Sequence, residues 1–111
     1  MNEVTRTITA FELKEMMDNE GDFILVDFRS SIVYERERIP SAVHMHLGQL
    51  EENLSEFDRS KTIVVYCSSE NCMSSQKAAV ILSKAGFDVL EFEAGIDGWK
   101  QAGFPIENAG L

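Results

Sequence analysis

The feature that most restricts the fold of this 111-residue chain is a pair of short, almost uninterrupted apolar runs. They are FILVDF at residues 23–28 and TIVVYC at residues 62–67. Runs of this kind are typical of strands that are covered on both faces. A helical pattern precedes the first run and follows the second, and another strand-like run, DVLEFEA, occupies residues 88–94. Strands that alternate with helices predict an α/β fold with a mostly parallel sheet.

Local signals set the limits of several helices. Thr9 and Glu12 have the spacing of a capping box, which predicts that a helix begins directly after Thr9. The helix that follows TIVVYC carries apolar residues at helical spacing and is predicted to end at Gly86. Shorter helical segments are predicted within residues 30–38, within residues 48–57 and around Trp99, and an extended segment is predicted at residues 39–47.

Length and charge limit the class of protein. A chain of this length can bury one hydrophobic core, so we expect residues 1–111 to form a single domain. The formal net charge of −9 argues against binding to nucleic acid and to anionic membrane surfaces, because both attract basic patches. No apolar run has the length of a membrane span or a signal peptide, so we expect a cytoplasmic protein. No cofactor is expected.

Both cysteines of the chain lie in one short polar loop, CSSENC, between TIVVYC and the next helix. In a parallel sheet, ligands bind beyond the carboxyl ends of the strands, and Cys67 is the last residue of such a strand. A loop that curls into a helix N-terminus directs backbone N–H groups inward and stabilises a thiolate, the nucleophilic form of cysteine. Cys67 is therefore a candidate nucleophile, although an ordinary buried cysteine, a disulfide and a metal site are alternatives at this point.

Two longer stretches resemble the rhodanese-like domain family. LVDFRSSIVYERERIPSAVHM is similar to the family's pattern of a strand ending in Asp-x-Arg, then an aromatic residue, then Ile-Pro-Gly-Ala. IVVYCSSENCMSSQKAAVILSKAGFDVLEFEAGIDGWKQAGFPIE is similar to the second half of the family. Its pattern there is strand, cysteine, six-residue loop, helix, Ala-Gly-Phe, strand, Gly-x-x-x-Trp and Gly-x-Pro. The resemblance covers about residues 7–106.

This resemblance implies a fold and a function. The fold would be a single rhodanese-like domain with a mostly parallel five-stranded sheet, helices on both faces and a core of about residues 7–106. The function would be that of a sulfurtransferase, an enzyme in which Cys67 carries sulfur as a persulfide. The partners would be a small sulfur donor or acceptor, or a protein with a thiol or persulfide. The loop that binds substrate or persulfide would consist of Ser68, Ser69, Glu70, Asn71, Cys72 and Met73.

The loop departs from the pattern of family members that act on thiosulfate. Those members usually have basic or small residues there, often arginine at the position of Cys72, whereas Glu70 is the only charged residue here. A thiosulfate dianion would meet this carboxylate with no cation in the loop, so we expect a persulfide donor instead. Related phosphatases and arsenate reductases need an arginine where this chain has Met73, which argues against that function.

Cys72 has two interpretations. A loop curled around a common centre can bring its first and last side chains together. Cys72 would then be a resolving thiol that attacks a Cys67 persulfide. Alternatively, Cys72 packs as a small apolar residue at the start of the helix.

Four further polar residues are candidates for the site. Asp27 and Arg29 lie at a strand end and are expected to support the site as an ion pair, the role that the family resemblance favours over catalysis. His44 and His46 share one face of an extended segment and could join the two cysteines as metal ligands. A closed metal site would block the nucleophile, and the chain has no Cys-x-x-Cys, so no metal is expected.

Two other functions remain open alternatives to the enzyme. One is a non-catalytic binding or regulatory module that keeps the rhodanese fold; Glu70 and the lack of basic loop residues favour it, whereas the presence of Cys67 opposes it. The other is a thiol redox protein that uses the Cys67–Cys72 pair.

Overall fold

The computed structural model describes residues 6–69 and 71–108. No helix in these two ranges has both the length and the apolar character needed to cross a membrane. In chain order, the elements are β1 Arg6–Thr7, α1 Ala10–Asp18, β2 Phe23–Asp27, α2 Ser31–Arg36, β3 Glu37–Arg38, β4 Val43–His44, two 3-10 segments at Leu47–Gln49 and Glu51–Glu56, β5 Thr62–Tyr66, α3 Ser74–Lys84, β6 Val89–Phe92, α4 Gly95–Gln101 and β7 Glu107–Asn108.

Five strands form one parallel sheet in the order β1-β6-β5-β2-β4. The two apolar runs lie at its centre, where β2 and β5 pair over their full length from Phe23 opposite Thr62 to Asp27 opposite Tyr66. The remaining strands, β3 and β7, form a separate antiparallel pair. The predicted α/β fold with a five-stranded parallel sheet is confirmed.

The central strands are buried on both faces, as their apolar runs predict. Alternate residues of a strand point to opposite sides of the sheet. In β5, Ile63 and Val65 belong to the core that α3 covers, whereas Val64 and Tyr66 belong to the core formed with α1 and α4. Helices therefore cover both faces of the sheet, as expected.

The predicted start of α1 and the predicted end of α3 are also confirmed. The Glu12 N–H donates to Thr9 Oγ1 at 3.1 Å and the Thr9 N–H donates to Glu12 Oε1 at 2.8 Å, which completes the capping box. Helix α3 stops at Lys84, and Gly86 follows with a φ of 94°, in the left-handed region that commonly ends helices.

The segment after α2 differs from the prediction. Only Val43 and His44 of residues 39–47 are in a strand, because the Ala42 N–H donates to the Ile39 carbonyl at 3.1 Å and closes a turn. Ser41 in this turn has a φ of 72°, which no strand residue adopts. The helix predicted within residues 48–57 takes the form of two tighter 3-10 segments, Leu47–Gln49 and Glu51–Glu56, and Asn53 departs from helical backbone angles.

Candidate active site

Cys67 lies at the carboxyl edge of the sheet, directly after β5. The last pairs of this edge join Tyr66 to Asp27 of β2 and to Phe92 of β6, so the loops that follow these three strands emerge side by side. Cys67 itself is 3% exposed. The edge is the one at which parallel sheets bind ligands.

The loop between β5 and α3 brings the two cysteines together. Cys67 and Cys72 form a disulfide, with their Cα atoms 6.1 Å apart. Ser69 shapes the loop: its carbonyl accepts the Cys72 N–H at 3.0 Å, and its Oγ accepts the Asn71 N–H at 3.3 Å. Glu70 lies outside the described residues.

The loop leads into the N-terminus of α3, which has no side-chain cap from the residue before it. Met73 holds the N-cap position and makes no side-chain hydrogen bond to the helix. The first N–H groups of a helix have no partner within it, and they carry the positive end of the helix dipole. This end of α3 therefore favours a negative charge next to the loop.

The turn between β6 and α4 holds the start of the loop. The Ile96 N–H donates to the Cys67 carbonyl and the Asp97 N–H donates to the Ser68 carbonyl, both at 3.0 Å. Gly95 permits this contact, because its φ is 66° and a Cβ there would lie 2.6 Å from the Cys67 carbonyl oxygen. The Gly-x-x-x-Trp motif contains this glycine, but the sequence analysis did not identify it as a contact of the nucleophile's backbone.

Asp27 and Arg29 form the expected ion pair beneath this edge. Asp27 is fully buried, and its carboxylate accepts from Arg29 Nε at 3.0 Å and from Arg29 Nη2 at 2.8 Å. Arg29 also donates to the Glu37 carbonyl at 2.6 Å. Burial alone would lower the pKa of Arg29, but the hydrogen bonds and charge of Asp27 outweigh it and raise that pKa. The pair thus ties β2 to the segment after α2.

Tyr66 is a polar part of this network that the sequence analysis missed. Its hydroxyl accepts the Ile39 N–H at 3.3 Å. Burial, and then the charge of Asp27, raise the pKa of Tyr66 well above its usual range, so the phenol stays neutral. Because TIVVYC reads as a continuous apolar run, the sequence offers no signal that this tyrosine's hydroxyl is used.

A buried acid lies under the first turn of α3. Glu91 of β6 is 5% exposed, and Ser75 Oγ donates to its Oε2 at 3.4 Å. Burial, and then the charge of Glu93, raise the pKa of Glu91.

The two histidines contact each other and the backbone rather than the cysteine loop. The rings of His44 and His46 are 4.8 Å apart, and His44 Nε2 lies 2.7 Å from the Arg29 carbonyl oxygen. Within residues 6–69 and 71–108, no group of three or more His, Cys, Asp or Glu residues is arranged to hold a metal ion.

A cavity of about 340 Å³ lies beside the cysteine loop. Its wall includes Arg36 and Glu37 at the end of α2, Ser68 of the loop, and Ile96 and Asp97 of α4. A larger, mainly apolar groove of about 470 Å³ runs along the outer side of α3. The smaller cavity includes Ser68, the residue directly after Cys67, and a third cavity of about 280 Å³ borders Ser69 and Asn71 of the same loop.

Comparisons with known proteins identify the family of this chain. The model of the Rhodanese-like domain matches residues 9–102. Thiosulfate sulfurtransferase GlpE of Actinobacillus pleuropneumoniae is 32% identical over 110 residues, which cover 98% of this chain and 99% of that protein.

Two further matches are a longer protein and a solved structure. The HTH-type transcriptional regulator Rv0324 of Mycobacterium tuberculosis is 31% identical over 87 residues; these cover 78% of this chain but only 38% of the regulator. A crystal structure of a rhodanese-related protein from Thermoplasma volcanium superposes with a TM-score of 0.81 at 25% identity, over 92% of this chain and 97% of that one. The chain therefore belongs to the rhodanese-like domain family.

Proposed function

We propose that this protein is a sulfurtransferase that carries sulfur as a persulfide on Cys67. The observation that carries the proposal is the place of Cys67: at the carboxyl edge of the sheet, at the start of a loop that enters an uncapped α3 N-terminus. Backbone N–H groups and the helix dipole there favour the thiolate over the thiol. The sulfurtransferase named among the relatives supports the same activity.

The reaction is a double displacement. The Cys67 thiolate attacks the outer sulfur of a donor R–S–SH, the S–S bond breaks, and R–S⁻ leaves with its electron pair. The Cys67 persulfide then loses its outer sulfur to an acceptor nucleophile, which restores the thiolate. The N–H groups at the start of α3 stabilise the negative charge at both stages.

The donor that fits best is a persulfide rather than thiosulfate. Glu70 is the loop's only charged residue, and the wall of the neighbouring cavity carries two cations and two carboxylates. Glu70 would repel a dianion with no cation in the loop to offset it, whereas a persulfide carries at most one negative charge on its sulfur. The donor or acceptor is a small molecule or a protein with a thiol or persulfide, and the site of action is the cytoplasm.

Intact mass spectrometry after exposure of the reduced protein to a panel of sulfur donors tests this proposal. We expect wild type to gain one sulfur atom and Cys67→Ser to gain none, with Cys72→Ser as the matched single-thiol control that still gains it. If no donor adds sulfur to the wild type, the proposal is wrong and a binding module is favoured. Equal gain by Cys67→Ser would also contradict it.

The Cys67–Cys72 disulfide favours a second function, that of a thiol redox protein. To form this disulfide, the Cys72 thiolate attacks the inner sulfur of the Cys67 persulfide, and HS⁻ leaves with the electron pair of the broken S–S bond. The sulfur that leaves is reduced and the two cysteines are oxidised to the disulfide, so no other oxidant is needed. A dithiol reductant then opens the disulfide.

Cys72→Ser separates the two functions. If Cys72 resolves the persulfide, the variant accumulates a longer-lived persulfide and releases less sulfide than wild type in a single turnover without acceptor. If Cys72 serves only in packing, persulfide lifetime and sulfide yield match those of wild type.

A further inference from the structure

The cavity of about 340 Å³ is placed to hold part of a substrate. Its wall includes Ser68, the residue after Cys67, whose carbonyl accepts the Asp97 N–H at 3.0 Å. The cavity wall and the loop are thus joined directly. A volume near 300 Å³ is at the small end of ligand pockets and suits a small molecule better than a protein segment.

The wall carries charges of both signs, and two of them are already paired. Arg29 is bound to Asp27, and Glu37 forms an ion pair with Lys100. Arg36 and Asp97 remain.

These two residues come from separate elements, Arg36 from the last turn of α2 and Asp97 from the first turn of α4. Among the residues that the structure describes, neither forms an ion pair, with the other or with any third residue. Within residues 6–69 and 71–108, the same small cavity is thus lined by one cation and one anion that lack an ion-pair partner. A head group that is neutral overall but carries both charges complements this pair, whereas a dianion is attracted by one charge and repelled by the other.

We propose that this cavity binds the amino-acid head group of a cysteine-type persulfide. Arg36 contacts the ligand's α-carboxylate, and Asp97 contacts its α-ammonium. The short side chain then directs the outer sulfur towards Cys67. The thiolate takes this sulfur, the S–S bond breaks, and the amino acid leaves as a thiolate with the electron pair. This inference rests on the proposed function and assigns the donor class of the same site.

A series of four donors tests it, with the rate of Cys67 persulfide formation measured by rapid quench and intact mass. Cysteine persulfide carries both charges, N-acetylcysteine persulfide lacks the ammonium, cysteamine persulfide lacks the carboxylate, and 2-hydroxyethyl persulfide lacks both. In Arg36→Gln, we expect the ratio of the cysteine persulfide rate to the cysteamine persulfide rate to fall about fivefold. In Asp97→Asn, the ratio of the cysteine persulfide rate to the N-acetylcysteine persulfide rate falls by a similar factor.

Matched controls separate local contact from overall charge. Lys84→Gln removes one positive charge, as Arg36→Gln does, but at the end of α3 that is far from the loop. Glu56→Gln removes one negative charge, as Asp97→Asn does, but in the second 3-10 segment. Both controls should leave all donor ratios unchanged. Because each variant is compared with wild type on the same donors, differences in intrinsic donor reactivity cancel.

The outcomes distinguish a failure of the head-group site from a failure of the proposed sulfurtransferase function. If all four donors persulfidate Cys67 and no ratio changes in either variant, the head-group site is wrong while the sulfurtransferase stands. A loss in Arg36→Gln that follows the ammonium instead of the carboxylate also overturns the assignment. If none of the four donors adds sulfur to Cys67, the proposed function itself fails.

Discussion

Asp27 and Arg29 form a buried pair in which the loss of both members costs less than the sum of the two single losses. Asp27→Asn leaves the Arg29 guanidinium buried without its counter-charge, and we expect the free energy of unfolding to fall by about 3–5 kcal/mol. Arg29→Gln leaves the opposite charge unpaired and should cost a similar amount. Urea denaturation followed by circular dichroism measures both.

The double variant Asp27→Asn with Arg29→Gln is the control for this residue pair. It removes both charges, so its cost should be below the sum of the two single costs by about 0.5–3 kcal/mol. Additive costs would mean that the ion pair does not couple the two residues. The rate of Cys67 persulfide formation is then measured under conditions in which the variants are fully folded. A lower rate there would indicate a catalytic rather than a supporting role.

At the residue scale, the sequence predicted where the candidate residues that are close along the chain would lie. Asp27 and Arg29 are two positions apart at a strand end, and Cys67 follows the most apolar strand, so their placement follows from strand geometry. Arg36 and Asp97 line the same cavity from positions far apart in sequence. Only the packing of α2 and α4 around the loop brings them together, and no local pattern records it.

Gly95 joins two elements, the turn before α4 and the loop after β5, and its replacement tests that contact. Gly95→Ala forces a side chain into a left-handed backbone and places a Cβ 2.6 Å from the Cys67 carbonyl oxygen. Backbone strain alone costs about 1–3 kcal/mol, and we expect the free energy of unfolding of this variant to fall by more than that. It should also form the Cys67 persulfide more slowly, because the loop must shift. Thermal unfolding and mass spectrometry of the persulfide measure the two effects.

Gly103→Ala is the matched control for this element contact. Gly103 has a φ of 80°, but a Cβ there has no neighbour within 4 Å, so only the backbone strain remains. This variant should lose stability and keep the persulfide rate of wild type. Equal persulfide rates in the two variants would show that the Gly95 contact does not position the nucleophile.

At the element scale, periodicity and capping predicted the long elements, since α1, β2, β5, α3 and β6 each carry a strong local pattern. The prediction of an extended segment was wrong at the start of residues 39–47, where a turn from Ile39 to Ala42 precedes the short strand. Pro40 and Ser41 stand in that turn, and Tyr34 Oη donates to the Ala42 carbonyl at 2.7 Å. This contact comes from outside the segment, so the pattern of residues 39–47 alone could not reveal it. The two-residue strands β1, β3 and β7 are likewise set by their partners.

At the scale of the whole molecule, the net charge of −9 acts on every charged donor that approaches the site. A negative protein repels a dianion at long range, and salt weakens this repulsion: the Debye length falls from about 30 Å at 0.01 M to about 8 Å at 0.15 M. The rate of Cys67 persulfide formation from thiosulfate should therefore rise as sodium chloride is added over this range. Stopped reactions analysed by intact mass spectrometry give the rate.

Cysteine persulfide provides the internal comparison, because its head-group charges cancel and its sulfur adds at most one negative charge, against two for thiosulfate. The rate with cysteine persulfide should therefore rise less with salt than the thiosulfate rate. Equal salt dependence of the two donors would contradict this prediction. A thiosulfate rate that falls with salt would mean that a local cation outweighs the field of the whole molecule. The search for that cation would begin with Arg36 in the cavity beside Cys67.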